Sequence, residues 1–430
     1  MFSCDVAISI HMQKYDCNFL IKTFILLPNK VVKSDRFIMG LYKYLAVSAV
    51  LATSSVSLAF TLVSQNAGAK YRHSLSASTI PLDETFTNPV EMINQSLITE
   101  DACIDAAMKM KRVNVPVSSS ISDDCEVGIS YIHWEPTRKP EKTTLPVILV
   151  HGFDSSCLEY RRLGPLLADQ GIETYAVDIL GWGFSRLDNV KSFSAQAKVE
   201  ALTSFWSTIG GERDVCLVGA SLGGAAAIEY AATKDHVKAC VMIDAQGFVD
   251  GTGPMAKLPK FLADAGVQIL KTEALRSAAN QMSYYDKEKY ATDDALKIGR
   301  LHCLQDKWSD ALVSFMLSGG FEPSQKVPMI NVPSLILWGR QDTILDIEFA
   351  EKFVNTIPDA ELKWIEECGH VPHLEQPQQT ALTISEFLLS EKFDILRPDK
   401  ELITIATPVN PILIGGLGAA AVGTALFSSF

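Results

Sequence analysis

From Glu126 onward, short apolar runs rich in β-branched residues alternate with longer segments of helical period. This alternation is typical of a mostly parallel β-sheet with helices on both faces. Glu126–Trp134 is expected to add an antiparallel edge strand. The candidates for buried strands are Leu145–Val150, Glu173–Ile179, Val215–Gly219, Ala239–Ile243, Ser334–Trp338 and Leu362–Ile365. The pattern therefore predicts an α/β fold.

The alternation stops over residues 247–327, an interval that has no convincing strand. Apolar residues recur there at helical spacing in two stripes: Leu258, Phe261, Leu262, Ala265 and Ile269; then Trp308, Leu312, Phe315 and Met316. We interpret residues 247–327 as a helical cap inserted into a core formed by residues 126–246 and 328–395. A cap over the carboxyl ends of the strands encloses an apolar cavity, the usual form of a small-molecule site.

Composition excludes several classes of protein. The chain is 47% hydrophobic and 20% charged, which is ordinary for a globular protein. Its net charge is −12, and it has no block of Lys and Arg, so nucleic acid is not an expected partner. Nine dispersed cysteines without a Cys-x-x-Cys pair predict neither a zinc site nor a disulfide framework.

Residues 1–82 have the character of a targeting region. Arg36–Leu82 contains no acidic residue, and an apolar segment at about 39–59 resembles a signal peptide that is cleaved before Phe60. Residues 60–82 are Ser-rich and basic, as in transit peptides. The combination resembles the bipartite presequence of algae with complex plastids and predicts a plastid location. A retained signal anchor and the secretory pathway are the alternatives, and Met39 is an alternative start.

Two further segments flank the predicted core. Residues 83–125 form an N-terminal extension, and residues 396–430 form a hydrophobic tail. Within the tail, Ile412–Phe427 is uncharged and rich in Gly and Ala, although it is shorter than the roughly 20 residues that a bilayer core requires. The tail is a candidate for membrane association.

The most specific motif is the segment Gly219-Ala-Ser221-Leu-Gly223, which follows a buried strand and precedes an Ala-rich helical segment. A nucleophile on a sharp strand-to-helix turn needs residues without side chains two positions away, because the helix backbone crosses there. The helix N-terminus adds free N–H groups near the nucleophile. Ser221 is thus the candidate nucleophile, and a serine that merely caps the helix is the alternative.

A serine nucleophile needs a base and an orienting carboxylate. Asp342 follows the strand Ser334–Trp338, and His370 follows the strand Leu362–Ile365, so the chain order is Ser, Asp, His. Asp244, at the end of an earlier strand, is the alternative acid. His373 lies in the same loop as His370 and is interpreted as structural.

An oxyanion hole is expected between two loops. The chain turns at Gly152 after the first buried strand, so that the N–H of Phe153 can face Ser221. Leu222 supplies the second N–H from directly after the nucleophile. Loss of one such donor typically lowers the rate by about 10²–10³.

These motifs together resemble the α/β-hydrolase superfamily over residues 126–391. They are His151-Gly-Phe153, Asp178-Ile-Leu-Gly-Trp-Gly-Phe-Ser185, the Ser221 turn, Gly339-Arg-Gln-Asp342 and Gly369-His370. Gly152–Glu159 and Asp178–Ser185 look like the chloroplast members of plants and algae. The resemblance implies a triad of Ser221, Asp342 and His370 and no cofactor, and we expect no bound metal. Haloalkane dehalogenases and epoxide hydrolases are disfavoured, since they have Asp at the nucleophile position.

The leading hypothesis is a serine hydrolase that cleaves an ester of an apolar or amphipathic small molecule through an acyl-enzyme on Ser221. C–C bond hydrolysis of the meta-cleavage type and acyl transfer to an alcohol are enzymatic alternatives. A ligand receptor that retains the triad but turns over little is an alternative of another class.

Overall fold

The computed structural model describes residues 80–139 and 144–396. The predicted signal peptide at 39–59, nearly all of the transit-like segment 60–82 and the tail segment Ile412–Phe427 lie outside the described residues. No helix within the described ranges is long and apolar enough to cross a bilayer.

One sheet of eight strands organises the described chain. The strands are β1 (Met110–Pro116), β2 (Glu126–Trp134), β3 (Val147–Val150), β4 (Thr174–Val177), β5 (Val215–Ala220), β6 (Val237–Ile243), β7 (Ser334–Gly339) and β8 (Ala360–Ile365). Their order is β1-β2-β4-β3-β5-β6-β7-β8. The β1–β2 and β2–β4 pairs are antiparallel, and all others are parallel. The predicted α/β class with a mostly parallel sheet is confirmed.

The expected edge strand is not at the edge. β2 pairs antiparallel with β4 as expected, but β1 covers its other side, from Met110↔Ile132 to Pro116↔Glu126. The sheet thus starts inside residues 83–125, which were expected to be an extension outside the core. β1 is hard to recognise in the sequence because it carries Lys111 and Arg112 and buries few side chains.

Helices cover both faces of the sheet because successive strand residues point to opposite sides. Along β3, Ile148 and Val150 join the apolar cluster on one face, and Val147 and Leu149 join the other. The helices outside the interval between β6 and β7 are α1 (Val90–Gln95), α2 (Asp101–Lys109), α3 (Leu163–Asp169), α4 (Ala195–Ile209), α5 (Leu222–Ala231), α11 (Glu348–Thr356), α12 (Pro372–Glu375) and α13 (Pro377–Leu389).

The interval between β6 and β7 is helical. Its helices are α6 (Lys260–Lys271), α7 (Glu273–Ser283), α8 (Lys287–Tyr290), α9 (Asp293–Arg300) and α10 (Trp308–Leu317). The second predicted stripe, on α10, is buried. The first stripe faces solvent instead: Phe261 is 69% exposed and Ile269 61%, while α6 buries only Ala263 and Val267.

Candidate active site

Ser221 occupies the turn between β5 and α5 in a conformation that is rare for a residue with a side chain. Its φ is 50° and its ψ is −122°, and backbone strain of this kind costs about 1–3 kcal/mol. Its N–H donates to Ile243 O (3.0 Å), and its carbonyl accepts from Gly224 N (2.9 Å) and Gln246 N (2.8 Å). The hydroxyl does not cap α5, so the helix-cap alternative is wrong. The surrounding backbone holds a strained serine in place.

The predicted glycines sit where backbone segments cross beside Ser221. A Cβ at Gly219 would lie 2.5 Å from Gly223 O, and a Cβ at Gly223 would overlap Val150 O. No side chain fits at either position, as the motif predicts. Gly152 differs, because a Cβ there would lie 3.4 Å from Ser221 Cβ, which is an ordinary contact. That distance places the loop after β3 directly beside the serine.

The loops after β7 and β8 bring Asp342 and His370 together. His370 Nδ1 lies 2.8 Å from Asp342 Oδ2, and both residues are buried. Asp342 Oδ1 accepts from the backbone N–H groups of Ile344 (2.7 Å) and Leu345 (3.2 Å). The backbone N–H of His370 donates to Ser283 O in the cap (2.8 Å). With Nδ1–H donated to Asp342, Nε2 of His370 is left as the basic nitrogen.

Asp244, the alternative acid, is adjacent to this pair. Side-chain ligand atoms of Asp244, Asp342 and His370 all lie within 4.8 Å of one another. Asp244 Oδ1 accepts from Gly339 N (3.0 Å), whereas the hydrogen bond to the histidine belongs to Asp342. Burial and the neighbouring charge of Asp342 raise the pKa of Asp244 well above its usual value. Asp244 therefore favours its protonated form more than an exposed aspartate does.

A cavity of about 190 Å³ lies beside Ser221. Its core wall includes Phe153 and Leu222, the two predicted N–H donors. Neither backbone N–H donates to a protein acceptor within the described ranges. Met255 and Phe315 contribute to the cap wall, which is mostly apolar. The cavity thus combines a serine hydroxyl, two available N–H groups and space for an apolar group.

Sequence reasoning missed two acidic residues that hold the loop after β3. Glu159 Oε2 accepts from Gly152 N (3.2 Å), and Glu159 Oε1 lies 2.8 Å from His373 Nε2. Burial alone would raise the pKa of Glu159, but its interactions with His373 lower it to about 2. His373 thus supports the loop, which agrees with its structural interpretation. The second is Asp154, which binds the cap. Both residues lie in the segment Gly-Phe-Asp-Ser-Ser-Cys-Leu-Glu, which the sequence analysis used for the family resemblance without assigning a role to either residue.

Among the residues that the structure describes, two buried groups have donor atoms close enough to hold a metal ion. They are Asp154, His302 and Cys303, and the group that contains Asp342 and His370. In both groups the donor atoms are engaged in hydrogen bonds with one another. Asp154 also pairs with the guanidinium of Arg276, whose positive charge disfavours a cation there.

Comparison with known proteins identifies the family. A model described as the alpha/beta hydrolase family matches residues 147–382, more than half of the chain. The chain belongs to the α/β-hydrolase family. This agrees with the strand order and with the position of Ser221 between β5 and α5.

Two relatives and one solved structure show how far the similarity extends. The chain is 36% identical over 287 residues to the alpha/beta hydrolase domain-containing protein VTE7 of Arabidopsis thaliana, covering 65% of this chain and 84% of the relative. It is 27% identical over 246 residues to lipase 1 of Psychrobacter immobilis, covering 55% and 74%. A thermophilic esterase from Thermogutta terrifontis superposes with a TM-score of 0.53 at 21% identity, covering 64% and 97%. The last likeness concerns the fold alone.

Proposed function

We propose that this protein is a serine hydrolase that cleaves an ester of an apolar or amphipathic small molecule. The observation that carries the proposal is the 2.8 Å hydrogen bond between His370 and Asp342 at the same sheet edge as the strained Ser221. A histidine held by a carboxylate is the group that a serine nucleophile requires. Similarity to a lipase, in a family of hydrolases, supports the same reaction class.

The reaction begins when Ser221 Oγ attacks the acyl carbon and His370 Nε2 takes the hydroxyl proton. The N–H groups of Phe153 and Leu222 stabilise the oxyanion of the tetrahedral intermediate. The bond to the alcohol breaks, and His370 returns the proton to the leaving oxygen. Water, activated by His370, then releases the acid from the acyl-enzyme. Asp342 holds the imidazole in the required tautomer throughout.

The cap wall supports an apolar acyl group. Met255, Phe315 and Phe321 border the cavity opposite Ser221, and apolar walls favour substrate groups that gain free energy when they leave water. The two N–H groups on the core wall are the polar contacts that orient the carbonyl group. This division between apolar lining and few polar groups is common in small-molecule sites.

Steady-state hydrolysis of p-nitrophenyl esters, from acetyl to palmitoyl, tests the proposal. We expect an initial burst of p-nitrophenol and turnover in the wild-type protein, and neither in Ser221→Ala or His370→Ala variants of unchanged fold. Turnover that survives Ser221→Ala would refute the proposal. Cleavage of a vinylogous diketone without any ester hydrolysis would favour the C–C hydrolase alternative. Stable ligand binding without turnover would favour the receptor.

For localisation, we propose a plastid. The support is the acid-free presequence over residues 39–82 and the similarity to a plant protein. A fluorescent protein fused to residues 39–82 should enter plastids of an alga with complex plastids, whereas a fusion to residues 39–59 should stop in the secretory pathway. Secretion of the longer fusion would contradict the proposal.

A further inference from the structure

The loop after β3 is bound by the cap through Asp154. The carboxylate of Asp154 is buried and accepts hydrogen bonds from Trp308 Nε1 (2.8 Å) and His302 Nε2 (3.0 Å) at Oδ1. Its Oδ2 accepts from Arg276 Nη2. Arg276 Nη1 also reaches the backbone carbonyl of Asp154 (3.4 Å). We call these four residues the cap latch.

The three partners of Asp154 come from separate parts of the cap. Arg276 lies on α7, His302 in the turn Leu301–Leu304, and Trp308 at the start of α10. Asp154 itself has a φ of 50°, a left-handed conformation that is uncommon for a non-glycine residue. The cap therefore supplies the contacts that maintain this strained backbone.

The charges in the cap latch favour its closed form. Burial by itself raises the pKa of Asp154, but His302 and Arg276 lower it well below its usual value. Burial by itself lowers the pKa of His302, but the Cys303 sulfur and the Asp154 carboxylate raise it to about 10. The Asp154 carboxylate thus lies between the His302 ring and the positively charged Arg276 guanidinium. Separating such groups would leave a buried charge unpaired, which is costly.

Phe153 lies in the chain between Gly152, which is bound by the core, and Asp154, which is bound by the cap. Glu159 of the core binds the N–H of Gly152 (3.2 Å), and the cap binds the side chain and the carbonyl of Asp154. The N–H of Phe153 donates to no protein acceptor among the described residues, and Phe153 lines the cavity with Ser221. The carbonyl of the same peptide, Gly152 O, lies 2.9 Å from His151 Nδ1, so the direction of the N–H depends on this contact and on the residues held on either side of it.

We propose that Asp154 is a positioning residue through which the closed cap aligns the Phe153 N–H for oxyanion stabilisation. The proposal rests on the proposed function and extends it, because it makes catalysis depend on cap contacts that do not touch the substrate. A cap that opens releases Asp154, and the strained loop then relaxes away from the geometry that the oxyanion needs. Chemistry is thereby restricted to the closed, water-poor cavity.

The test compares Asp154→Asn with a control that removes a different cap–core contact. Asn keeps the size of the side chain but loses its charge. Asp188→Asn is the matched control, since Asp188 pairs with Lys307 of the cap (2.6 Å) at an exposed site. For Asp154→Asn we expect kcat for the best ester to fall by about 10–100-fold with KM changed less than about threefold, as for an interaction made only in the transition state. The kcat and KM values of Asp188→Asn should match those of the wild-type protein.

Two inhibitors separate alignment from general damage. A trifluoromethyl ketone forms a tetrahedral adduct whose oxyanion needs the Phe153 N–H, whereas the related secondary alcohol does not. Asp154→Asn should lower the affinity for the ketone by about the same factor as it lowers kcat and leave the affinity for the alcohol unchanged. Equal weakening of both inhibitors, or unchanged kcat, would overturn the proposal.

Arg276→Gln breaks the cap latch from the cap side and replaces Asp154→Asn if that variant does not fold. Arg276→Lys, which keeps the charge, should recover part of kcat. If the wild-type protein neither hydrolyses esters nor binds the ketone, the proposed function fails, and hydrogen exchange of a peptide covering residues 151–157 tests the cap latch alone. Faster exchange in Arg276→Gln or Asp154→Asn than in Asp188→Asn supports the latch. Equal exchange overturns it.

Discussion

The core and the cap border the same cavity, but they are held to different degrees. In the core, β3, β5 and β7 are buried along their whole length. In the cap, α6 buries two residues and α7 none, whereas α10 buries six. Few buried contacts mean that a region opens locally at a lower free energy. The reacting groups are attached to the rigid region; α6 and α7 form the less stable part of the cap, whereas Phe315 and Phe321 of the cavity wall are buried.

This difference predicts two kinds of variant. Changes at the core edge should lower kcat or global stability, because the reacting groups and the strand crossings lie there. Changes in the cap wall should act on KM. The cap latch is one of the contacts through which the two regions meet.

Among the changes considered, Asp342→Asn should have the largest effect. Asn can donate its N–H to His370 Nδ1 and so select the tautomer that cannot accept the serine proton, and we expect kcat to fall by about 10³–10⁴. Steady-state ester kinetics measure this. Asp244→Asn is the control, because the hydrogen bond to His370 belongs to Asp342 and burial favours the protonated form of Asp244; kcat should stay within about threefold of wild type. A larger loss in Asp244→Asn than in Asp342→Asn would reverse the assignment of the acid.

Gly223→Ala should have the next largest effect, which is on stability. The new Cβ would overlap Val150 O, so we expect the free energy of unfolding to fall by about 1–3 kcal/mol. Gly266→Ala is the matched change in the cap, since nothing lies within 4 Å of a Cβ there. It should raise the free energy of unfolding by up to about 1 kcal/mol, because Ala favours helix α6. Chemical denaturation measures both. Equal effects would contradict the difference between the two regions.

Met255→Ala should have a smaller effect, confined to substrate binding. Met255 lines the cavity from the cap, and losing part of its apolar surface should raise KM for medium-chain esters about three- to tenfold, at about 0.8 kcal/mol per methylene group. The value of kcat should be nearly unchanged. Met329→Ala, at a residue that is 52% exposed, is the control. A fall in kcat with unchanged KM would place Met255 in the reaction itself.

Asp244→Asn should show the smallest effect, visible only as a dependence of stability on pH. Burial raises the folded-state pKa of Asp244, so above about pH 4 the folded protein retains a proton that the unfolded chain loses. Wild-type stability therefore falls as pH rises through that window. Asn does not titrate, so the free energy of unfolding of the variant should rise relative to that of the wild-type protein from about pH 4 upward. A difference in denaturation midpoint that is constant from acid to neutral pH would contradict the raised pKa.

Local sequence patterns predicted much of the core. The parallel strands are continuous apolar runs, and Gly219 and Gly223 are required by backbone crossings that follow from the strand-to-helix turn itself. Asp342 and His370 follow strands whose carboxyl ends meet at one edge of the sheet, so chain order alone indicated their proximity.

The cap was less predictable, because its contacts are long-range. Helical spacing identified the stripe that includes Phe261 and Ile269 but could not show that this stripe faces solvent. The position of Asp154 depends on three cap residues more than 100 positions away along the chain. β1 was missed because its few apolar residues are mixed with charged ones.

The central claim is that Ser221 is a nucleophile activated by His370. Labelling with a fluorophosphonate probe, followed by peptide mass spectrometry, tests it most directly. The account predicts a single adduct on Ser221 in the wild-type protein and in His133→Gln, a histidine stacked on Tyr175 away from the cavity, and no adduct in Ser221→Ala or His370→Ala. An adduct on another residue, or wild-type labelling rates in His370→Ala, would contradict it.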